Sequence, residues 1–337
     1  MNKVKDLLKT IKRIRFTKWQ KMIFLIALIG LIASAPYIIT DNYILHIVIL
    51  CSIYACLTLS LNMIIGWSGQ FSLGHVCLYG MGAYITTLLM TQTGMNFFPA
   101  TILSTALTSG FAMLLCLPTL KLRGDYLAVI TLGFGEVFRL FLTNSVSITR
   151  GPAGIPNIPD PVLFGYVISS KQAYFYFVAL IVILFVVFMK RFNNSGFGMS
   201  MIVVNEDDIA ATALGINVKK YKLLGFALGG GMAAFMGSFY AVYMGMISPT
   251  SFAYAESIKM VSMVVLGGIG SIPGSILGAV LLTALPEVLR AFSEYRMVIY
   301  GALMVVMMIF RPEGIWSRSS RMLNEYKIKA FENYKKK

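Results

Sequence analysis

Charge is scarce in this sequence, and several chemical motifs are missing from it. Only 13% of the 337 residues are Asp, Glu, Lys or Arg, about half the roughly 25% that is usual in soluble domains. The two histidines and four cysteines lack the spacing of a metal site. No Gly-Lys dipeptide occurs, which excludes the phosphate-binding loop used by many ATPases. The sequence therefore predicts a protein that is not an enzyme and holds no cofactor or metal.

Long apolar runs take the place of the missing charge. Hydrophobic residues make up 57% of the chain and mean hydropathy is +0.75, and stretches such as 22–39 carry no charge and can cross a bilayer. We therefore expect an all-α polytopic membrane protein with about ten transmembrane helices. The eighth crossing is short and Gly-rich, which is also compatible with a half-helix. The ten crossings are expected near residues 22–39, 43–65, 75–92, 99–117, 125–142, 172–190, 222–246, 258–270, 275–291 and 296–310.

The positions of the basic residues orient the chain. Eight lysines and arginines precede the first crossing and eight follow the last, and such residues stay on the cytoplasmic side of a membrane. This distribution explains the net charge of +15 better than binding to nucleic acid does. We expect a basic cytoplasmic segment at 1–21, a membrane domain at 22–310 and a basic cytoplasmic tail at 311–337. The membrane domain has a main inner loop at 191–222 and a long, Pro-rich outer loop at 143–171.

The inner loop contains a short polar-to-apolar helix, which we call the docking segment, residues 205–217. Asn205 is expected to cap the helix, three acids to fill its first turn, and Gly215 to end it. So short a helix needs something to pack against, and its lack of basic residues does not fit a helix lying on a membrane. We therefore expect it to bind a partner protein. The expected binding residues are Glu206, Asp207, Asp208, Ala210, Ala211, Ala213 and Gly215.

Two Gly-rich breaks interrupt the apolar pattern, the first at residues 66–75 and the second at residues 267–274. Broken helices are typical of the substrate path in transporters. Gly225, Gly229, Gly274 and Gly278 are instead expected to serve close helix packing, since small residues recur there every four positions. The first break carries more polar groups than packing needs, which favours a place on the path. The expected path residues are Gly66, Ser68, Gly69, Gln70, Ser72, Gly74, His75, Gly267 and Gly268, together with Glu136.

Glu136 has two interpretations. Ionisable residues inside a membrane are functional by default, which places Glu136 on the path. Arg139 follows it at a spacing that permits an ion pair within one helix, which would make the charge structural. The residues alone leave both open.

Several motifs together resemble the LivM-type permeases of branched-chain amino acid ABC importers. The resemblance covers residues 57–314. It includes Leu61-Asn62, Leu122-Arg123-Gly124-Asp125-Tyr126 and Tyr221-Lys222, and it depends most on five longer stretches of sequence. They are Gly66-Trp67-Ser68-Gly69-Gln70-Phe71-Ser72-Leu73-Gly74-His75, Thr131-Leu132-Gly133-Phe134-Gly135-Glu136, Thr149-Arg150-Gly151-Pro152-Ala153-Gly154-Ile155, Ala210-Ala211-Thr212-Ala213-Leu214-Gly215-Ile216-Asn217 and Val264-Val265-Leu266-Gly267-Gly268-Ile269-Gly270-Ser271.

The resemblance implies an ABC importer permease fold in a bacterial plasma membrane. It implies a second, LivH-like permease subunit, two cytoplasmic ATPase subunits that hydrolyse the ATP, and an extracytoplasmic binding protein. The docking segment would match the ATPase-coupling region, and the substrates would be leucine, isoleucine and valine. Related permeases carry urea or short amides, and a self-sufficient secondary transporter with Glu136 as its ion site is the alternative from another class.

Overall fold

The computed structural model describes residues 41–120, 124–163 and 165–289, with isolated residues at 36, 298, 301, 302, 305, 306, 309, 310 and 314–316. The first and tenth expected crossings lie mainly outside these residues, as do both basic terminal segments. By its internal contacts the chain divides into the units Met1–Leu45 and His46–Lys337. In the first unit the described residues start a helix, whose first turn is capped by the Asp41 carboxylate accepting from the Tyr43 amide at 2.8 Å.

The described chain is mostly helical. Its α-helices are α1 Asn42–Asn62, α2 His75–Thr93, α3 Phe97–Thr119, α4 Asp125–Asn144, α5 Val146–Thr149, α6 Lys171–Asn193, α7 Gly196–Glu206, α8 Asp208–Ala213, α9 Val218–Met244, α10 Tyr254–Gly267 and α11 Ile272–Val288. A π-helix at Met63–Trp67 continues α1, and 3-10 turns lie at Gly151–Ala153 and Pro249–Phe252. Strands β1 Val162–Leu163 and β2 Tyr166–Val167 form an antiparallel hairpin in which Val162 pairs with Val167.

Within the described ranges, five helices are long and apolar enough to cross a membrane: α1 with its π-helical end, α3, α4, α6 and α9. This result supports a multi-pass membrane protein, but it does not confirm the count of ten crossings. The expected eighth crossing is α10, which has 14 residues and ends at Gly267. It is therefore short, as its sequence indicated.

Helix α9 lies at the centre of the second unit and packs most extensively against α2 and α3. Glycines on both helices, Gly82 on α2 and Gly237 on α9, allow α9 to approach α2 closely. A Cβ on Gly82 would lie 2.1 Å from the Ala234 carbonyl oxygen, and a Cβ on Gly237 would lie 2.0 Å from that of Tyr79. Backbones that approach this closely gain dispersion contacts that larger side chains would prevent.

The segment at residues 143–171, for which an outer loop was expected, is held against the end of α9. Ile155 and Ile247 exchange two backbone hydrogen bonds, at 2.8 and 3.1 Å. The Tyr174 hydroxyl on α6 donates to Asp160 at 2.8 Å and bonds the Val242 carbonyl at 3.1 Å. These bonds fix the loop relative to α6 and α9.

Candidate translocation and coupling site

The first Gly-rich break turns back into the helical bundle. The π-helix ends at Trp67, but the His75 imidazole Nε2 lies 2.8 Å from the hydroxyl of Ser60. Ser60 is about 10 Å from Trp67 along the helix axis. The segment after Trp67 therefore runs back beside α1, and α2 begins next to the interior of a membrane-spanning helix rather than at its end.

Other helices satisfy the backbone of this re-entrant segment. The Leu73 amide donates to the Thr131 hydroxyl of α4 at 2.9 Å, and the Leu73 carbonyl accepts from the Ser257 hydroxyl of α10. The Gly74 amide donates to the Ser72 hydroxyl at 3.3 Å. Irregular backbone is tolerated at membrane depth only where protein or water supplies such partners. The segment is thus tied to α4 and α10, both of which would have to move if it moved.

The two Gly-rich breaks meet at Asn62. Its side-chain oxygen accepts from the Gly270 amide at 2.7 Å, and its amide nitrogen donates to the Ser275 hydroxyl at 2.8 Å. A Cβ on Gly66 would lie 2.2 Å from that side-chain oxygen and 2.4 Å from the Gly270 nitrogen. Only glycine at position 66 permits this contact.

The second break has its own backbone constraints. Gly268 has φ +116°, a conformation that favours glycine. Gly267 lies so close to α11 that a Cβ would come within 2.1 Å of the Gly274 carbonyl oxygen. Its own carbonyl accepts from the Trp316 amide at 3.0 Å. Gly274 and Gly278, where a Cβ would lie 2.3 Å from the Gly267 carbonyl oxygen and 2.1 Å from the Met263 carbonyl oxygen, therefore have the packing role that their spacing indicated.

The docking segment is built differently from its expected form. Asn205 does not cap a helix but lies within α7, and Glu206 ends that helix. The cap of α8 is Asp207, whose carboxylate accepts from the amides of Ile209 and Ala210 at 2.7 and 3.1 Å. Only Asp208 of the three acids lies in the first turn. The expectation erred because the apolar run before Asn205 is itself helical, which moves the helix start two residues along the chain.

The end of α8 is as expected. Gly215 has φ +77° and follows the last turn, where the Ile216 amide donates to the Ala211 carbonyl at 3.0 Å. This bond and the left-handed glycine are typical of a Schellman ending. Asn217 then caps α9 by accepting from the Lys220 amide at 3.1 Å.

Helix α8 has one buried face and one exposed face. Ala211 is fully buried, so it packs against the chain itself and cannot offer its side chain to a partner. Lys222 of α9 holds the helix by an ion pair with Asp208 at 2.6 Å. Ala210 and Ala213 are exposed, and Ile209 and Leu214 are 75% and 72% exposed. Helix α8 therefore presents two alanines and two large apolar side chains on its exposed face.

Asn205 links the docking segment to the first break. Its side-chain nitrogen donates to the Gly66 carbonyl at 3.1 Å. Gly69, at φ +70°, lies against the same side chain, and a Cβ there would be 2.2 Å from the Asn205 oxygen. Asn205 of α7 therefore contacts the first break directly, at Gly66 and at Gly69.

A cleft of about 470 Å³ lies between the re-entrant segment and the corner of α7 and α8. Its walls include Gln70, which is 3% exposed and whose amide donates to the Cys116 sulfur at 3.3 Å. Ser72 and His75 are buried and do not line it. The lining residues are Ser68, Gly69, Gln70, Thr119, Leu120, Gly124, Leu127, Val204, Asn205, Glu206, Asp207, Asp208, Ile209 and Lys222.

Glu136 is apart from these residues. It forms the ion pair within α4 that the spacing permits, with Arg139 at 2.8 Å, and both side chains are about one-third exposed. Helix α4 contacts the first break through Thr131, which accepts from the Leu73 amide, and through Gly135, which lies beside Gly74. The four cysteines are free and buried, and among the described residues no cluster of His, Cys, Asp and Glu could hold a metal.

A family model described as "Branched-chain amino acid transport system / permease component" matches residues 43–308. The chain belongs to this permease family. It is 37% identical over 319 residues to the high-affinity branched-chain amino acid transport system permease protein LivM of Escherichia coli K12, an alignment that covers 88% of this chain and 75% of the relative.

More distant members of the permease family also match. The permease protein LivH of the same bacterium is 26% identical over 294 residues, which are 80% of this chain and 93% of LivH. The permease protein BraD of Pseudomonas aeruginosa is 29% identical over 292 residues, with coverages of 79% and 92%. No solved structure was found to match.

Sequence reasoning missed three residues that organise the site: Asn62, Thr131 and Asn205 in its linking role. Asn62 offered a signal, because an amide side chain inside an apolar run needs a partner at membrane depth. Thr131 opens one of the stretches that carry the family resemblance, but its bond to the first break was not predicted, since a threonine in a membrane helix usually bonds its own helix. Asn205 was assigned to a helix cap, and that role belongs to Asp207.

Proposed function

We propose that this chain is a membrane-spanning permease subunit of an ATP-driven importer for branched-chain amino acids. It forms half of the pathway and works with a LivH-like permease subunit, two cytoplasmic ATPase subunits and an extracytoplasmic binding protein. It spans a bacterial inner membrane about ten times with both termini in the cytoplasm. The contact of Asn205 with Gly66 supports this proposal most directly, because it joins an exposed, partner-binding helix to the broken part of the membrane helices.

In the proposed mechanism, an ATPase subunit binds the exposed face of α8. ATP binding moves α8 and the adjoining end of α7, and Asn205 carries that movement to Gly66 and Gly69. The breaks then change position together, because Asn62 bonds across them. The pathway alternates between outward and inward access without any chemical change in the substrate.

Gln70 belongs to the proposed pathway. Gln70→Leu should lower leucine uptake by at least about fivefold, because it removes the polar atoms from the cleft wall and with them hydrogen bonds each contributing on the order of 1 kcal/mol. Ser72→Ala should lower uptake less, since it removes only the bond to the Gly74 amide. Uptake by proteoliposomes is the measurement, and the exposed Gln92 of α2, changed to Leu, is the control. Normal uptake by Gln70→Leu would assign the segment to packing.

The proposed orientation places the outer loop outside the cell. On a cysteine-free background, Ala153→Cys should react with an impermeant maleimide added to intact spheroplasts. Residue 153 is exposed, and the distribution of basic residues along the chain places its loop outside the cell. Lys219→Cys, at the start of α9, should react only after the membrane is opened. The opposite pattern of labelling would reverse the orientation.

Reconstitution tests the proposed function itself. Leucine uptake should require ATP inside the proteoliposomes, both ATPase subunits and the binding protein, and should be indifferent to proton and sodium gradients. A secondary transporter would instead take up substrate without ATPase subunits and would follow an ion gradient. Excess urea or acetamide should leave leucine uptake unchanged, and inhibition by either would favour the short-amide alternative.

A further inference from the structure

A second cluster of charged groups lies inside the membrane domain, away from the cleft. Glu256 and Lys259 stand one turn apart on α10, with Nζ and Oε2 separated by 3.7 Å. The Tyr54 hydroxyl of α1 donates to the same carboxylate oxygen at 2.7 Å. The Lys259 ammonium lies 4.0 Å from the centre of the Tyr54 ring. These three side chains form a compact cluster with one positive and one negative group.

The cluster lies beside the middle of a candidate membrane span. Along the axis of the span Asn42–Trp67, Tyr54 is about 18 Å from Asn42 and about 20 Å from Trp67, in a hydrocarbon core about 30 Å thick, and Glu256 reaches it from the first turn of α10. The side chains of Lys259 and Glu256 are nevertheless 28% and 30% exposed. Charges exposed to lipid at this depth are costly, so intramembrane charges face a cavity or the interior of a bundle.

The cluster also adjoins the first break. Ser257, the residue after Glu256, bonds the Leu73 carbonyl at the end of the re-entrant segment. Helix α2 begins two residues later, with Gly74 as a cap that lacks a side chain. Discontinuous helices near the middle of the membrane are where transporters bind their substrates. The charged pair and the helix break therefore occupy the same level of the structure.

We propose that Tyr54, Glu256 and Lys259 form a binding subsite for the zwitterionic backbone of an α-amino acid. The Glu256 carboxylate receives the substrate ammonium through Oε1 while Tyr54 holds Oε2, and the Lys259 ammonium receives the substrate carboxylate. A zwitterion suits this pair because the ammonium and the carboxylate of an α-amino acid are attached to the same carbon. Each can therefore face the opposite charge of a Glu–Lys pair whose charged atoms are 3.7 Å apart. Urea and short amides carry no such pair of charges.

This subsite depends on the proposed function, and the experiment separates the two. ATP-dependent uptake of leucine by the wild-type complex tests the importer, whatever the variants do. Glu256→Gln and Lys259→Gln, each in the full complex, test the subsite. Each should lower leucine uptake, and leucine binding to the complex without the binding protein, by about tenfold or more, because each removes a charge-assisted bond. Glu287→Gln on α11 and Lys171→Gln on α6 are matched controls and should remain within about twofold of wild type, as expected for changes outside the subsite.

A charge reversal distinguishes substrate binding from a structural ion pair. Glu256→Lys combined with Lys259→Glu preserves the attraction between the side chains but exchanges the places of the two charges and separates Tyr54 from its carboxylate. The proposal expects the complex to assemble and to remain defective in leucine binding. Wild-type uptake by either single variant overturns the proposal. Recovery of leucine binding and uptake in the reversed variant also overturns it. That test holds even if the single variants fail to assemble.

Discussion

Gly66→Ala should prevent assembly of the permease, because the new Cβ would enter space that three groups already occupy. The Asn62 oxygen would be 2.2 Å away, and the Gly270 nitrogen and Cα would be 2.4 and 2.7 Å away. Two of these atoms are backbone, so no side-chain rotation relieves the contact. We expect destabilisation of at least about 3 kcal/mol, the upper end for an overpacked site. The measurement is the yield and thermal stability of the detergent-extracted complex by size-exclusion chromatography.

The control is the same substitution at Gly110, inside α3. A Cβ there has no heavy atom within 4 Å, and alanine is better than glycine in a helix by about 1 kcal/mol, so Gly110→Ala should be neutral or stabilising. Adding Asn62→Ala to Gly66→Ala should not restore the complex, since the Gly270 backbone remains in place. A stable complex from Gly66→Ala alone would show that the two breaks do not meet as described.

The sequence predicted the class of fold because bilayer thickness and helix rise limit what an uncharged run can form. The long helices at Phe97–Thr119 and Lys171–Asn193 agree with their expected crossings. The path of the first break was not predictable. Its direction after Trp67 depends on bonds from Ser60, Thr131 and Ser257, and such long-range partners leave no periodic signal in a sequence.

The docking segment shows where local signals compete. Asn205 and Asp207 are both good capping residues, and composition does not choose between them. The apolar residues before Asn205 decide the outcome, because α7 packs Met201 and Val204 into the interior and continues to Glu206. Asn205 is then free of a capping role and bonds Gly66 instead. The glycine at 215 was predictable, since a left-handed turn has few other occupants.

Ala210→Trp and Gly215→Val should each uncouple leucine uptake from ATP hydrolysis while the permease still inserts. Ala210 is exposed on α8, so tryptophan there spares the fold but adds bulk where the ATPase subunit is proposed to bind. Gly215 has open space around it but a φ of +77°. Valine therefore costs about 1–2 kcal/mol through its backbone conformation and loosens the end of α8. Uptake should fall at least about tenfold, because weakening the contact with the ATPase subunit by about 1.4 kcal/mol lowers its binding constant tenfold. The binding protein should no longer stimulate ATPase activity.

A graded series at position 215 separates helix geometry from side-chain contact. Asparagine tolerates left-handed backbone better than alanine, and alanine better than valine, so coupling should decline in the order Gly, Asn, Ala, Val. Ala153→Trp places the same bulk on an exposed residue of the outer loop and should leave uptake and stimulated hydrolysis unchanged. If Ala210→Trp and Gly215→Val both retain wild-type uptake and stimulation, α8 is not the coupling element. If uptake persists when the ATPase subunits are omitted, the importer mechanism itself is wrong.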